Sequence, residues 1–135
     1  MLGMVIRCLI VDDSRRFLRS ARAILESQGA KVDIAATSDE AMLILVANHP
    51  EVVLIDVQLG SASGFHLVQR MRDAGYQDPA IIMISAMDRT DLDDLVAASG
   101  ADGFVPKSGL SMAAVEAVVA STNSRPDDDS SAGAP

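Results

Sequence analysis

Tryptophan is absent from this chain, and aromatic residues make up only 3% of its 135 positions. Platforms for stacking a nucleic-acid base or a flavin ring are therefore poorly supplied. Cysteine is nearly absent as well. Cys8 is the only one, which excludes an internal disulfide and a multi-cysteine metal site. It lies within an apolar run and reads as a buried, reduced thiol of a cytoplasmic protein. Positive charge is scarce: 11 Lys and Arg stand against 19 Asp and Glu, for a net charge of −8. The phosphate backbone of DNA or RNA repels such a domain, so no direct nucleic-acid binding is expected. No apolar run is long enough to cross a bilayer, and no membrane association is expected. The opening Met1-Leu2-Gly3-Met4 lacks the charged region of a signal peptide.

What the chain does have is a set of short apolar runs rich in Val and Ile. With 49% apolar residues it can bury a core, and its length suits one domain. The runs near residues 5–11, 52–55 and 80–84 are continuous rather than alternating, the pattern of strands buried on both faces of a parallel sheet. Val32 to Ala35 is half polar and suits an edge strand. Gly103 to Val105 makes a short fifth strand.

Helical patterns fill the gaps. Phe17, Leu18, Ala21, Ile24 and Leu25 share one face, with Gly29 as the stop. Thr37-Ser38-Asp39-Glu40 is a capping box for a second helix with Ala41, Met42 and Leu45 on its stripe. Leu67, Val68 and Met71 mark a third. Thr90 caps a fourth, with Leu92, Leu95, Val96 and Ser99 inward and Gly100 as the stop. Leu110, Val115, Val118 and Val119 serve a fifth. Strict alternation predicts an α/β fold: a doubly wound, flavodoxin-like, five-stranded parallel sheet of order 2-1-3-4-5 with five helices. The domain is expected over residues 1–120, followed by a disordered acidic tail over 121–135.

Four of the strands end in residues suited to phosphoryl chemistry. Asp12 and Asp13 follow the first, Asp56 the third, Ser85 the fourth and Lys107 the fifth. In a sheet of this order those ends are neighbours, beside the switch point where ligands bind. Three carboxylates supply hard oxygen donors for a divalent cation. An ionised Asp56 is a nucleophile able to form an acyl phosphate. Ser85 donates to a phosphoryl oxygen, with the small Ala86 leaving room, and Lys107 brings a mobile positive charge. Taken singly, Ser14 or Ser85 is most often a helix cap, and Lys107 a surface lysine. The conjunction is what points to one site.

Together, Leu9-Ile10-Val11-Asp12-Asp13-Ser14, Val53-Leu54-Ile55-Asp56-Val57-Gln58-Leu59-Gly60, Ile84-Ser85-Ala86 and Gly103-Phe104-Val105-Pro106-Lys107 resemble the receiver domains of two-component response regulators, over roughly residues 4–120. The resemblance implies that Asp56 accepts a phosphoryl group from a phosphohistidine on a histidine kinase or phosphotransfer protein. It implies Mg²⁺ (or Mn²⁺) held by Asp13, Asp56 and the Gln58 backbone carbonyl, and through water by Asp12. Ser85 and Phe104 are then the switch. They alter the surface of the fourth helix, fifth strand and fifth helix, and so control a downstream protein. Gln58 and Met87 tune the lifetime of the phosphorylated state, with Met87 shielding the acyl phosphate. The chain departs from the commonest family pattern at Gly60, where proline is frequent, at Ser63, at Phe104, and at Ser108, where a cis proline is usual.

From Leu110 to Ala120 the only charge is Glu116. Ala113, Ala114, Ala117 and Ala120 offer a docking face for a second copy or a target, although an alanine-rich helix also exposes little apolar area. Two other functions compete. A phosphatase of the haloacid dehalogenase type also uses aspartate, magnesium, serine and lysine, but Gln58 stands where its second acid belongs and the motif order differs. A flavodoxin-like cofactor binder lacks its aromatics and its phosphate-cradling loop. The expectation is a signalling receiver without its own output domain, not a turnover enzyme.

Overall fold

The computed structural model describes residues 5–86 and 93–123. Its strands are β1 (Arg7–Val11), β2 (Lys31–Ala35), β3 (Val52–Asp56), β4 (Gln58–Leu59), β5 (Ala62–Ser63), β6 (Ala80–Ser85) and β7 (Gly103–Pro106). Its helices are α1 (Arg15–Ser27), α2 (Ser38–Asn48), α3 (Gly64–Asp73), α4 (Asp93–Ser99) and α5 (Met112–Asn123). Five strands form one parallel sheet in the order β2-β1-β3-β6-β7, the predicted doubly wound order.

The continuous apolar runs are explained by two cores, one on each face. Along β1, Cys8 and Ile10 join one core while Leu9 and Val11 join the other. Along β6, Ile82 and Ile84 point one way and Ile81 and Met83 the opposite way. Leu18, Ala21 and Leu25 of α1 and Val115 of α5 cover the first core. Ala41 and Leu45 of α2, Leu67, Val68 and Met71 of α3, and Val96 of α4 cover the second. Period-2 side-chain alternation makes both faces of a central strand apolar, which is why no polar alternation is seen in the sequence.

Local signals in the sequence act as predicted at the helix starts. Thr37 caps α2 by accepting from Glu40 N, and Glu40 Oε1 reaches back to accept from Ala36 N at 2.8 Å. Gly29 and Gly100 sit at φ +100° and +93° behind α1 and α4, conformations that cost glycine little.

Several expectations need correction. Leu95 is 53% exposed rather than inward, so α4 is anchored by Val96 and Ser99. Ile24 is 43% exposed, at the edge of the α1 stripe. The last helix continues through Ser121, Thr122 and Asn123, past the boundary set at residue 120. The apolar stripe fades there, but Thr122 Oγ1 donates to Val119 O at 2.7 Å within the helix. Residues 124–135, together with Thr90, Leu92 and Met87, lie outside the described residues.

A hairpin not foreseen in the sequence, β4–β5, pairs Gln58 with Ser63 and Leu59 with Ala62. Gly60 at its tip has φ +61°. Proline is locked near −65° and has no access to that turn, which accounts for this departure from the family pattern. After β7 the chain makes a 3-10 turn over Lys107–Gly109, and no cis peptide occurs among the described residues, Lys107–Ser108 included.

At the amino edge of the sheet, Arg72 of α3 ties the layers together. Its guanidinium donates to the carbonyls of Gly100, Tyr76, Gln77 and Pro79 and to Asp102 Oδ2. Asp102 Oδ2 also accepts from Ile81 N at 2.9 Å.

Candidate functional site

Asp12 follows β1 directly and is fully buried, at 0% exposure. Its Oδ1 accepts from Ser14 N at 2.8 Å, which sets the turn into α1, and Ser14 Oγ in turn caps the helix by accepting from Phe17 N. One residue on, Asp13 is exposed at the rim. Asp56 ends β3, 8% exposed, with Oδ1 accepting from Gln58 N at 3.3 Å and Oδ2 from Lys107 Nζ at 3.1 Å. Lys107 reaches in from the end of β7, its Nζ also 2.6 Å from Asp12 Oδ2.

The loop after Asp56 is held by a close backbone approach. Gly64 N donates to Val57 O at 2.7 Å, and a Cβ on Gly64 would fall 1.9 Å from Asp56 O. No other residue fits that position without moving the Asp56 backbone, so Gly64 is a steric requirement of the site.

The electrostatics are lopsided. One oxygen each from Asp12, Asp13 and Asp56 lie within 4.8 Å of one another. Burial, then the Asp12 charge, push the Asp56 carboxyl above its ordinary value, against the pull of Lys107 and the Gln58 N–H. Burial alone would lower the Lys107 ammonium, but Asp12 and Asp56 together hold it above the usual lysine value. Asp12 Oδ2 is buried with no aligned hydrogen bond among the described residues, despite its short ionic contact with Lys107. Three carboxylates with hard oxygens within 4.8 Å of one another, beside one ammonium, are a set that a small divalent cation fits.

The remaining predicted residues fall as follows. Ser85, 4% exposed, closes β6 in register with Pro106, next to Lys107. Ala86 is exposed beside it. Phe104 is half-buried in β7, on the side of the core covered by α2, α3 and α4. The site therefore unites Asp12, Asp13, Asp56 and Lys107 in direct contact range, with Ser85 one strand end away. Phe17 was read from the sequence only as part of the α1 core face. Its ring lies 4.4 Å from Lys107 Nζ, a neighbour that helical periodicity does not reveal.

The sequence profile of the response regulator receiver domain matches residues 8–119. The chain belongs to this family. As a receiver domain it is a module of two-component signalling. Response regulator MprA of Mycobacterium sp. (strain KMS) is 30% identical over 106 residues, 77% of this chain and 45% of the relative. Transcriptional regulatory protein DltR of Streptococcus agalactiae serotype III (strain NEM316) is 29% identical over 75% of this chain and 45% of its own length. The chain thus spans about 45% of the curated relatives it matches.

Solved receivers share the fold. Chemotaxis response regulator CheY4 of Vibrio cholerae superposes with TM-score 0.75 at 23% identity, over 85% of this chain and 99% of that one. A response regulator of Burkholderia pseudomallei, whose structure holds a phosphorylated aspartic acid, a calcium ion and citrate, gives 0.74 at 25% identity, over 84% of this chain and 66% of that one.

Proposed function

We propose that Asp56 is the phosphoacceptor of this receiver. The observation that carries the reading is the position of Asp56: a buried carboxylate ending a central strand, beside two further acids and under Lys107. In the reaction, an Asp56 oxygen forms a bond to phosphorus while the phosphorus–nitrogen bond of a donor phosphohistidine breaks. The electron pair stays on the imidazole nitrogen, which takes up a proton. Lys107 neutralises charge on the incoming phosphoryl oxygens, and Ser85 with the Ala86 backbone receives the same group. The phosphorylated aspartic acid and calcium ion of the Burkholderia pseudomallei relative support this assignment.

Asp12, Asp13, Asp56 and the Gln58 carbonyl would hold Mg²⁺ or Mn²⁺. The bound cation supplies charge neutralisation and orientation for phosphoryl transfer. Ser85 and Phe104 form the switch, acting on the α4–β7–α5 face, and that face controls a protein partner. The donor is a histidine kinase or phosphotransfer protein, in the cytoplasm. Gln58 and Met87 tune the lifetime of the acyl phosphate. The alanines of α5, exposed at Ala113, Ala117 and Ala120, form the contact for a second copy.

The test is intact mass after incubation with acetyl phosphate and Mg²⁺. One phosphoryl adduct is expected on the wild type, and none on Asp56→Asn. Rapid multiple turnover of a phosphate ester would instead favour the phosphatase reading.

A further inference from the structure

Phe17 opens a closed circuit of contacts. Asp12 Oδ1 accepts from Ser14 N, and Ser14 Oγ accepts from Phe17 N at 3.2 Å. The Phe17 ring meets Lys107 Nζ at 4.4 Å, and Lys107 Nζ returns to Asp12 Oδ2 at 2.6 Å. An ammonium has three N–H donors. One is used by Asp56 at 3.1 Å and Asp12 lies alongside. The negative face of an aromatic ring within about 6 Å attracts what remains of the charge. Phe17 is also fixed in place, because it occupies the third helical position behind the Ser14 cap and is half-buried against the first core.

We propose that Phe17 is a positioning residue for Lys107, holding the ammonium at Asp56 through the charge distribution of its ring rather than through bulk alone. Its structural consequence stands on the geometry. Its kinetic consequence rests on Asp56 being the phosphoacceptor.

The experiment compares two backgrounds, wild type and Lys107→Gln, in metal-free buffer. In each, Phe17 is replaced by leucine and, separately, by phenylalanines carrying one, two or three ring fluorines, which drain the ring face while nearly keeping its shape. Urea midpoints are measured for all. With Lys107 present, the midpoint falls stepwise as fluorines are added, and Phe17→Leu costs more than it does in Lys107→Gln. A residue that merely fills space gives equal changes in the two backgrounds, and that result overturns the proposal. If Phe17→Leu does not fold, the fluorinated series alone decides.

The second readout is labelling of Asp56 by acetyl phosphate. Phe17→Leu is expected to slow it by about three- to tenfold, and unchanged labelling also overturns the proposal. A wild type that takes no label sinks the phosphoacceptor reading instead, and the midpoints then decide the role of Phe17 by themselves.

Discussion

Two partly buried ionic clusters sit at opposite edges of one sheet, and their charges are counted differently. At the amino edge, Arg72 and Asp102 are one cation and one anion, each 14% exposed. Every nitrogen of the Arg72 guanidinium donates a hydrogen bond. At the carboxyl edge, Asp12, Asp13 and Asp56 gather, among the described residues, around the one ammonium of Lys107. The first cluster is satisfied and ties α3 to the strands. The second carries more negative than positive charge among the described residues. The tie of α3 and the proposed phosphoryl site lie at opposite ends of the sheet, and what separates them is electrostatic balance.

The largest effect that should sharpen this contrast is at the balanced end. Arg72→Met keeps an apolar stem but leaves the partly buried Asp102 without its cation. Removing one partner of a fully buried pair costs about 3–5 kcal/mol, and for this partly buried pair urea unfolding should show a loss at the lower end, about 3 kcal/mol. Metal affinity at the other edge should stay unchanged. If stability barely moved, the amino-edge cluster would not be the tie described.

The next effect belongs to the unbalanced end. A ligand that binds only the folded state stabilises by about 2.7 kcal/mol at a hundredfold excess over its Kd. Thermal melts with rising Mg²⁺ should therefore climb for wild type and for Arg72→Met alike. Asp13→Ala should lose most of the climb. An equal climb in Asp13→Ala would mean that the cation binds elsewhere.

A smaller effect has the opposite sign to the first. Asp56→Asn removes one of three crowded carboxylates while leaving a hydrogen-bonding side chain. In metal-free buffer at neutral pH it should raise stability, by on the order of 1 kcal/mol, the usual size of a single substitution. A loss comparable to that of Arg72→Met would mean that the two clusters obey the same rule.

The two edges also differ in how far the sequence revealed them. The carboxyl edge was legible because strand ends are marked by the stop of an apolar run, and strand order brings those stops together. Asp12, Asp56, Ser85 and Lys107 each sit at such a stop. The amino edge was not legible. Arg72 lies on a helix, Asp102 in a loop, and their partners are mostly backbone carbonyls that carry no residue signature. The β4–β5 hairpin was missed because its strands have two residues each, too short for any periodicity. Leu95 was misplaced because a seven-residue helix offers two turns, and an apolar residue on its outer side looks the same in sequence as one on its inner side. Phe17 was placed correctly in the core face, yet its contact with Lys107 spans 90 positions of sequence and depends on how two strand ends meet.

The smallest effect is the pH dependence of metal-free stability, and both groups of the site act in the same direction. Asp56 is raised above its ordinary 3.8. Between that value and its folded one, the folded state keeps a proton that the unfolded chain has lost. Its contribution is therefore complete below 3.8 and is lost as pH rises through the folded value. Lys107 is raised above 10.5, so its contribution is complete below that and is lost as pH rises through its own folded value. Cys8 adds a third fall in the alkaline range, since burial and Glu51 push its thiol from 9.0 up to about 11. Stability measured against pH in the presence of a chelator should thus decline in an acid step and an alkaline step. Asp56→Asn should remove the first and also shrink the second, because Asp56 is one of the two carboxylates that hold the Lys107 ammonium high. Lys107→Gln in a Cys8→Ala background should flatten the second. An acid step that survives Asp56→Asn would place the excess charge on some group other than the one assigned to receive phosphate.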